Sequence, residues 1–494
     1  MPSIRKSQFT RLALASAASL AMAACATIPG ANIAPGSPIT AAEAQQGAEY
    51  HPQFIAEFGG EMSGPYASYV EDVGQGIAVQ SGLATSPDAF DVTLLNSSVN
   101  NAFAVPGGYV YVTRQLVGLM NNEAELAAVL GHEIGHVAAR HSARRQAAAQ
   151  RNQLGGLGIA ILSSVLLGDS PLGDTIARGA LQGSQLLTLS YSRNQEIEAD
   201  NLGVQYLTRA GYDPRSMATL LQSLAAQNSL DAQLQGRDNA TIPEWASTHP
   251  DPASRVQNAL AQAGGGTGVV NRETFMRRID GLIYGDDPAQ GMIEGSDFIH
   301  PELRLRFTAP QGFYMVNGTR AVSVNGDAGR SQLTTGPFDG NLDSYVRAVF
   351  RALGGDQQQI APDSVQRANV NGLPATYGTA RVNNGQQQVD VTVFAYDFGN
   401  GQAYHFQSIT PAGQAGTFNG MYNSMRRISS AEAGQVVPRR IDIVTAGRSD
   451  TVATLARRMA YSDGQEARFR VLNGLFGDAT VVPGREYKIV VRAN

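Results

Sequence analysis

Cysteine is almost absent from this 494-residue chain, since Cys25 is the single one. One cysteine cannot form an internal disulfide, so apolar burial and any bound metal must hold the fold together. Its place at the N-terminal end of the chain argues against a role as a catalytic nucleophile. The chemistry of the chain is therefore expected to need neither a disulfide nor a thiol.

Charged residues are also scarce. They make up 16% of the chain, and the formal net charge is −5. This balance, together with the lack of a basic stretch interleaved with aromatic residues, argues against nucleic-acid binding. A hydrophobic content of 43% is ample for buried cores, and a chain of this length predicts two to four domains. No 34-residue helical repeat is present, and the glycine, alanine and glutamine content suggests long loops more than a repeat array.

Two apolar runs, Leu12 to Ala24 and residues 154–168, fall short of the roughly 20 residues that a membrane-spanning helix needs. The first run ends in small residues and follows basic ones, which predicts a signal peptide over residues 1–24. We expect the second run to form a buried helical hairpin. A substrate-binding or membrane-touching lid is the alternative.

Met22-Ala23-Ala24-Cys25 resembles a bacterial lipobox, in which the cysteine is lipidated and becomes the new N-terminus. Methionine departs from the commoner leucine at the first position, and simple cleavage near Ala23 or Ala26 is the alternative. Ala26 is not the aspartate that retains some lipoproteins at the inner membrane. The resemblance implies an exported protein of a Gram-negative bacterium, in the periplasm and lipid-anchored at the outer membrane, with residues 25–45 as a linker.

The strongest pattern in the chain is His-Glu-x-x-His at residues 132–136. No proline occurs between Glu123 and Ala149, and Asn122 is a good N-cap, so this stretch is predicted to be helical. Residues four apart share a helix face, so His132 and His136 can bind one metal ion.

Glu133 lies beside the two imidazoles and is the candidate general base, because a carboxylate next to a metal-activated water can take its proton. Gly131, just before the motif, and Gly135, within it, allow another backbone to pack closely against that face. An alanine-rich helix that carries two histidines by chance is the structural alternative.

Two histidines leave a zinc site short of a protein ligand. In the longer His-Glu-x-x-His-x-x-Gly-x-x-His pattern the third ligand is a histidine, but Ala139 and Ser142 replace its glycine and histidine here. His141 is one position out of register. A third ligand from a second helix is therefore expected.

A second helix is predicted to begin at Ser192 and to end near Gly211. Glu196 and Asp200 are four residues apart, so Glu196 can bind the metal while Asp200 accepts a hydrogen bond from the far nitrogen of a ligand histidine. Glu198 projects about 160° away from Glu196 at helical pitch and is not expected to reach the same ion.

Together these motifs resemble the M48 family of zinc metallopeptidases, in particular its BepA/LoiP-like periplasmic branch. The matching segments, in order over roughly residues 45–265, are Asn101–Gly108, Leu130–His136, Ser192–Asp200 and Ser247–Pro250 followed by Arg255. The resemblance implies a gluzincin-type fold and one Zn²⁺ per chain. It assigns the metal ligands to His132, His136 and Glu196 and the general base to Glu133.

His249 lies in a loop that Pro250 and Pro252 make rigid. An imidazole that reaches the metal displaces the catalytic water and inhibits. One that lies a step further back can stabilise the oxyanion together with Arg255. The resemblance implies that a histidine at this position can be a fourth ligand of a resting state, while an exposed loop histidine is the structural alternative.

Residues 101–105 end at a Pro-Gly-Gly turn, and Tyr109–Thr113 then alternates aromatic and β-branched residues like a strand. An extended peptide can add to a sheet edge through its main chain. The resemblance makes this substrate edge strand the run Asn101, Ala102, Phe103, Ala104 and Val105. An ordinary hairpin is the alternative.

Gly264-Gly265-Gly266 marks a seam near the end of a peptidase domain predicted at residues 46–272. An α+β domain is predicted at 273–430, with strands at Leu303–Phe307, Ala321–Val324, Val389–Tyr396 and Ala403–Ile409 and helices at Leu342–Leu353 and Thr417–Met425. Its histidines, His300 and His405, are isolated in the sequence, so a partner-binding or regulatory role is expected.

Residues 431–494 resemble a LysM module of the βααβ type. The expected elements are a strand at Ile441–Thr445, helices at Asp450–Ala456 and Phe469–Gly474, and a strand at Tyr487–Val491. The resemblance implies binding to N-acetylglucosamine-containing glycans, here peptidoglycan. A small structural cap is the alternative.

The sequence thus predicts an α+β multidomain protein: a mainly helical metallopeptidase domain with a small edge-strand sheet, an α+β domain and a LysM-like module. The expected function is zinc-dependent endopeptidase cleavage of envelope polypeptides, either misfolded or outer-membrane proteins. A peptidoglycan-tethered chaperone or scaffold with a mostly latent metal site is the alternative. An exopeptidase ranks last, because no site for a terminal amine is evident.

Overall fold

The computed structural model describes residues 34–145, 191–234, 249–354, 360–383, 388–399 and 401–493. The predicted signal peptide, Cys25, the apolar run 154–168 and Ser247 lie outside these ranges. Within them, no helix combines the length and apolar character needed to cross a membrane. Helices and several sheets build an α+β architecture, as the sequence predicts.

The N-terminal half is mainly helical, and two helices carry the predicted site. We call them the motif helix, Glu123–Ala138, and the glutamate helix, Arg193–Arg209. They pack directly against each other. Other described helices of this half include Ala41–Glu57, Pro65–Ala78, Arg114–Leu119, Ser216–Leu234, Pro252–Ala263 and Arg272–Ile279, with 3₁₀ turns at Val79–Ser81 and Pro87–Ala89.

Both site helices begin at the predicted N-caps. The Asn122 side chain accepts a hydrogen bond from the Glu125 backbone N–H at 2.9 Å, and Ser192 forms a reciprocal capping box with Gln195. Such caps satisfy backbone donors that the first turn leaves unpaired. The glutamate helix ends at Arg209, two residues before Gly211, whose φ of 81° is the left-handed conformation that glycine adopts readily.

The motif helix ends at Ala138, earlier than the expected continuation toward Ala149. Arg140 adopts a left-handed φ of 54°, and a separate helical segment starts at His141. The buried Arg140 side chain donates to the Ser37 carbonyl and lies 2.9 Å from the carboxylate of Glu43. Contacts with the N-terminal segment therefore break a helix that local sequence favours.

A three-stranded sheet lies beside the motif helix. It consists of β1 (Asp91–Leu95), β2 (Ala102–Val105) and β3 (Tyr109–Thr113), in the order β1-β3-β2. Strand β1 runs parallel to β3 and β2 runs antiparallel to it. Among the described strands, β2 is therefore an edge of this sheet; it begins at Ala102, one residue after the expected start at Asn101, and packs against the motif helix.

The middle of the chain forms a seven-stranded antiparallel sheet in the order β10-β11-β12-β13-β9-β8-β7. Its strands are β7 (Tyr314–Asn317), β8 (Val322–Gly326), β9 (Gly329–Thr335), β10 (Val365–Val370), β11 (Leu373–Asn383), β12 (Gln388–Gly399) and β13 (Gln402–Pro411). Apolar side chains are buried on both of its faces. The helix Leu342–Gly354 covers one face.

The opposite face packs against the helix Asn419–Ser424 and a four-stranded sheet in the order β14-β6-β5-β4. These strands are β4 (Met292–Glu294), β5 (Asp297–His300), β6 (Leu305–Thr308) and β14 (Arg426–Arg427). The four strands expected in this region are present as β6, β8, β12 and β13. The helix expected at Thr417–Met425 is split between a 3₁₀ turn at Ala415–Phe418 and the helix Asn419–Ser424; the remaining short elements are Pro288–Gln290 and Ser430–Ala433.

The last elements follow the predicted strand-helix-helix-strand order. Strands β15 (Arg439–Thr445) and β16 (Glu486–Arg492) pair antiparallel and enclose the helices Val452–Ala456 and Gln465–Leu472. The second helix begins and ends earlier than the expected Phe469–Gly474. We call residues 439–492 the C-terminal module. Its buried side chains belong to the same hydrophobic core as those of the motif helix.

Candidate metal centre

Four buried side chains converge where the motif helix meets the glutamate helix. One nitrogen or oxygen atom from each lies within 4.8 Å of the others, and the four residues are His132, His136, Glu196 and His249. Each is at most 2% exposed. The two motif histidines lie on one face of the motif helix, as their spacing predicts, and both point at the Glu196 carboxylate of the glutamate helix.

The distances between these atoms fit a single small cation. The Nε2 atoms of His132 and His136 are 3.0 Å apart, and His249 Nδ1 lies 3.3 Å from the former. Glu196 Oε1 is 3.3 Å from His136 Nε2 and 3.1 Å from His249 Nδ1. Zinc–ligand bonds of 2.0–2.1 Å in a tetrahedron place ligands about 3.3–3.4 Å apart. Three imidazole nitrogens and a carboxylate are also a donor set that zinc prefers, so the residues present fit this ion.

The protonation states favour cation binding. Burial holds the pKa of His136 well below its usual range, so this imidazole is neutral and has a lone pair to offer. Burial alone would raise the pKa of Glu196. The neighbouring His249, His136 and Arg255 outweigh that effect and hold the pKa well below normal, so Glu196 is an anion.

Asp200 and Arg255 support the ligands from behind. Asp200 Oδ1 lies 2.9 Å from His132 Nδ1, the nitrogen that faces away from the centre. Arg255 donates to both oxygens of Asp200, at 2.8 and 2.6 Å, and also to Glu196. These contacts favour a positioning role for Arg255 over the oxyanion role considered from the sequence.

Glu133 and His249 face each other beside the cluster. His249 Nε2 is 3.6 Å from Glu133 Oε1, while its other ring nitrogen points at the ligand atoms. Both side chains are 1% exposed. Of the two places considered from the sequence, the structure puts His249 in the cluster itself, where it separates the candidate base from the ligand atoms.

His136 has neighbours that the sequence reasoning missed. The Tyr191 ring stacks on it with 3.7 Å between ring centroids. His141 Nδ1 lies 2.8 Å from His136 Nδ1, and His141 Nε2 lies 3.0 Å from Glu198 Oε2. The sequence did contain a signal for such a neighbour. The His136 ring nitrogen that faces away from the metal centre needs a hydrogen-bond partner, just as that of His132 does.

The remaining sequence candidates lie apart from this cluster. Strand β2, with Phe103 buried, borders the motif helix as the open edge of its sheet. His405 is buried in the seven-stranded sheet, where it contacts the Tyr345 hydroxyl at 2.9 Å and burial lowers its pKa to about 4. His300 ends β5 in the four-stranded sheet.

Residues 66–263 match the family model of Peptidase family M48. The chain is 31% identical over 242 residues to the beta-barrel assembly-enhancing protease of Escherichia coli strain K12, covering 48% of this chain and 47% of that protein. The Yersinia pestis protein of the same name is 36% identical over 198 residues, covering 40% of this chain and 38% of that one. Mitochondrial metalloendopeptidase OMA1 of Arabidopsis thaliana is 34% identical over 175 residues, covering 35% and 32%.

The chain spans about half the length, or less, of these curated relatives. Among solved structures, cyanobacterial PsbP from Synechocystis sp. PCC 6803 is 12% identical and covers 26% of this chain and 91% of its own. Its TM-score of 0.22 is too low to support an argument. The sequence match and the cluster of ligand atoms rest on the same residues, because the segment 66–263 that matches the model of Peptidase family M48 contains His132, His136, Glu196 and His249.

Proposed function

We propose that this protein is a zinc-dependent endopeptidase. The observation that carries the proposal is the convergence of His132, His136 and Glu196 on one point with Glu133 beside it. When bound there, zinc would polarise the scissile carbonyl and lower the pKa of the attacking water. The relatives named as proteases and metalloendopeptidases support the same activity.

Each side chain has a distinct task in this proposal. His132, His136 and Glu196 hold the ion, and Asp200 holds His132 through its far nitrogen. The Glu133 carboxylate takes a proton from the attacking water and returns it to the leaving amine nitrogen. Burial of this carboxylate removes competing water, which strengthens its interactions with the reacting groups.

Strand β2 supplies the surface for the substrate backbone. The Thr113 N–H donates to the Asn101 carbonyl at 3.0 Å, which sets the ladder so that Phe103 faces Tyr111 with its hydrogen bonds directed toward β3. The backbone groups of Ala102 and Ala104 then point toward the open side of the sheet. An extended peptide would pair with them whatever its side chains, as an endopeptidase of broad specificity requires.

His249 gates this centre in our proposal. Its Nδ1 takes the fourth position of the cluster, and its ring separates Glu133 from the ligand atoms. Water and substrate can enter only when the loop that carries His249 moves away. With His249 in this position, the enzyme is in a resting state.

The biological setting is part of the proposal. The relatives' name, beta-barrel assembly-enhancing protease, favours envelope or outer-membrane polypeptides as substrates. The signal-peptide and lipobox patterns favour export to the periplasm and a lipid anchor on Cys25. The C-terminal module has the strand-helix-helix-strand order of LysM modules and would bind peptidoglycan.

Casein cleavage by the purified chain tests the activity. We expect Glu133→Gln to lose about 10²–10⁴-fold in rate while it keeps its metal, because only proton transfer is removed. Proteins with Glu133 and with Gln at that position are also compared in the His249→Ala background. The His249→Ala single variant should cleave casein faster than the wild type. If casein stays intact in both backgrounds while metal is bound, a scaffold or chaperone with a latent site replaces the protease.

A further inference from the structure

His136 is connected to the protein surface by a chain of two hydrogen-bonded side chains. His141 is fully buried, and its Nδ1 lies 2.8 Å from the Nδ1 of His136. On its other side, His141 Nε2 lies 3.0 Å from Glu198 Oε2. The left-handed turn at Arg140 brings His141 to this position. If the motif helix continued, His141 would project to a different side of the helix from His136.

With a metal ion bound by His136 Nε2, the proton positions along these hydrogen bonds have one consistent assignment. His136 Nε2 faces the centre and must offer a lone pair there, so its proton lies on Nδ1. Two ring nitrogens 2.8 Å apart share one proton, so His141 accepts at Nδ1 and carries its own proton on Nε2. That proton is donated to the Glu198 carboxylate, which accepts only.

The hydrogen bonds from His136 through His141 to Glu198 are the counterpart of the contacts that hold His132. His132 is held at its far nitrogen directly by Asp200, which Arg255 holds in turn. His136 reaches a carboxylate through one intervening imidazole. Partners of this kind fix the tautomer and the ring orientation of a metal-bound histidine.

We propose that His141 and Glu198 form a positioning relay that fixes His136 as an Nε2 metal ligand. The proposal rests on the proposed metal function. A surface ion pair alone would not account for the arrangement. Glu198 also lies 3.4 Å from Arg144, but both of those side chains are more than 40% exposed, and such pairs contribute little. The buried His141 imidazole, which lies between the Glu198 carboxylate and His136, is the group that orients the metal ligand.

Four variants separate the links of the relay. His141→Phe keeps a ring of similar size but removes the acceptor, and we expect about 10–100-fold weaker metal binding. His141→Asn places an amide oxygen near the former Nδ1 and should recover part of that loss. Glu198→Gln should weaken binding less than His141→Phe. Arg144→Gln breaks the same surface ion pair as Glu198→Gln but leaves both relay side chains in place, and should bind metal like the wild type.

The measurement is Co²⁺ and Zn²⁺ affinity of the full-length chain, titrated against a competing chelator, with the visible Co²⁺ absorption spectrum as a report on ligand geometry. Thermal unfolding of the metal-free proteins is measured in parallel. Weaker binding and an altered spectrum at unchanged metal-free stability support a positioning role. Affinities of His141→Phe and Glu198→Gln within twofold of Arg144→Gln overturn the relay. A wild-type chain that binds neither ion refutes the metal function and the relay with it.

Discussion

Each buried charged residue at the metal centre is stabilised by a partner of opposite charge. Arg255 is 1% exposed and contacts two anionic side chains, Asp200 and Glu196, that are completely buried. Burial alone would raise the pKa of Asp200, but Arg255 and His132 outweigh it and hold that pKa below its usual range. Removing one partner from such a group leaves charge buried without compensation.

Arg255→Met should therefore destabilise the metal-free protein by about 3–5 kcal/mol at neutral pH. The lowered pKa values of Asp200 and Glu196 mean that these carboxylates stabilise the fold above about pH 4, and that this contribution is lost as the pH falls through the lower folded-state values. The cost of the substitution should shrink accordingly in acid. Thermal unfolding between pH 3 and pH 7 measures both effects. An unchanged melting temperature with lost peptidase activity would instead favour the oxyanion role.

At the scale of elements, the centre depends on how closely two helices approach. Motif-helix Gly135 faces the glutamate helix, and a Cβ added there would lie 2.9 Å from the Ala199 carbonyl oxygen. At Gly131 the nearest atom would be a side-chain carbon of Ile77 at 3.4 Å, an ordinary contact. The two glycines look equivalent in the sequence, but only Gly135 keeps the helices at the distance that the ligand cluster needs.

Gly135→Ala should cost about 1–3 kcal/mol, because a backbone atom opposite cannot move aside without separating the helices. It should also weaken metal binding, since Glu196 lies on the helix that would be displaced. Gly131→Ala is the matched control and should stabilise by up to about 1 kcal/mol through better helix propensity. Unfolding and metal affinity measured on both variants test this, and equal effects of the two substitutions would be inconsistent with it.

Local pattern predicts most of the elements that carry the site, but not how they are joined. The spacing of Glu196 and Asp200 and the caps Asn122 and Ser192 were readable because they depend on neighbours within one helical turn. The break at Arg140 was not, because it is stabilised by Glu43, which is 97 residues away in the chain. The relay behind His136 follows from that break and was missed for the same reason.

At the scale of the whole molecule, the C-terminal module packs as part of the peptidase core. The Lys488 side chain on β16 is completely buried and donates to the carbonyls of Gly118, Leu119 and Met120 at 2.5–3.1 Å. These carbonyls lie at the end of the helix Arg114–Leu119, where a cation is favoured. The domain boundaries stay predictions, but this packing ties the module to the chain just before the motif helix.

Lys488→Met keeps the apolar stem and leaves three buried carbonyls without their donor. We expect a loss of about 3 kcal/mol or more in stability, with the peptidase core and the module still unfolding together. Arg492→Met, on the same strand, breaks a partly exposed pair with Glu294 and should cost less than about 1 kcal/mol. Calorimetry measures both, and a separate transition for the module in the wild type would show that it folds independently.

The sequence could indicate the module's strand and helix order but not its packing. The strand-forming runs of β15 and β16 are visible in the sequence, whereas the contact between Lys488 and Gly118 joins residues 370 positions apart. A lysine in a strand is ordinarily exposed, so its burial follows only from the tertiary structure.

The most direct test of the central claim is elemental analysis of the purified full-length chain for bound metal. We expect about one zinc ion per chain, retained in Glu133→Gln and lost in His136→Ala and Glu196→Ala. A wild-type chain without stoichiometric metal, or His136→Ala and Glu196→Ala variants that keep their metal, would contradict a metal site built from these ligands.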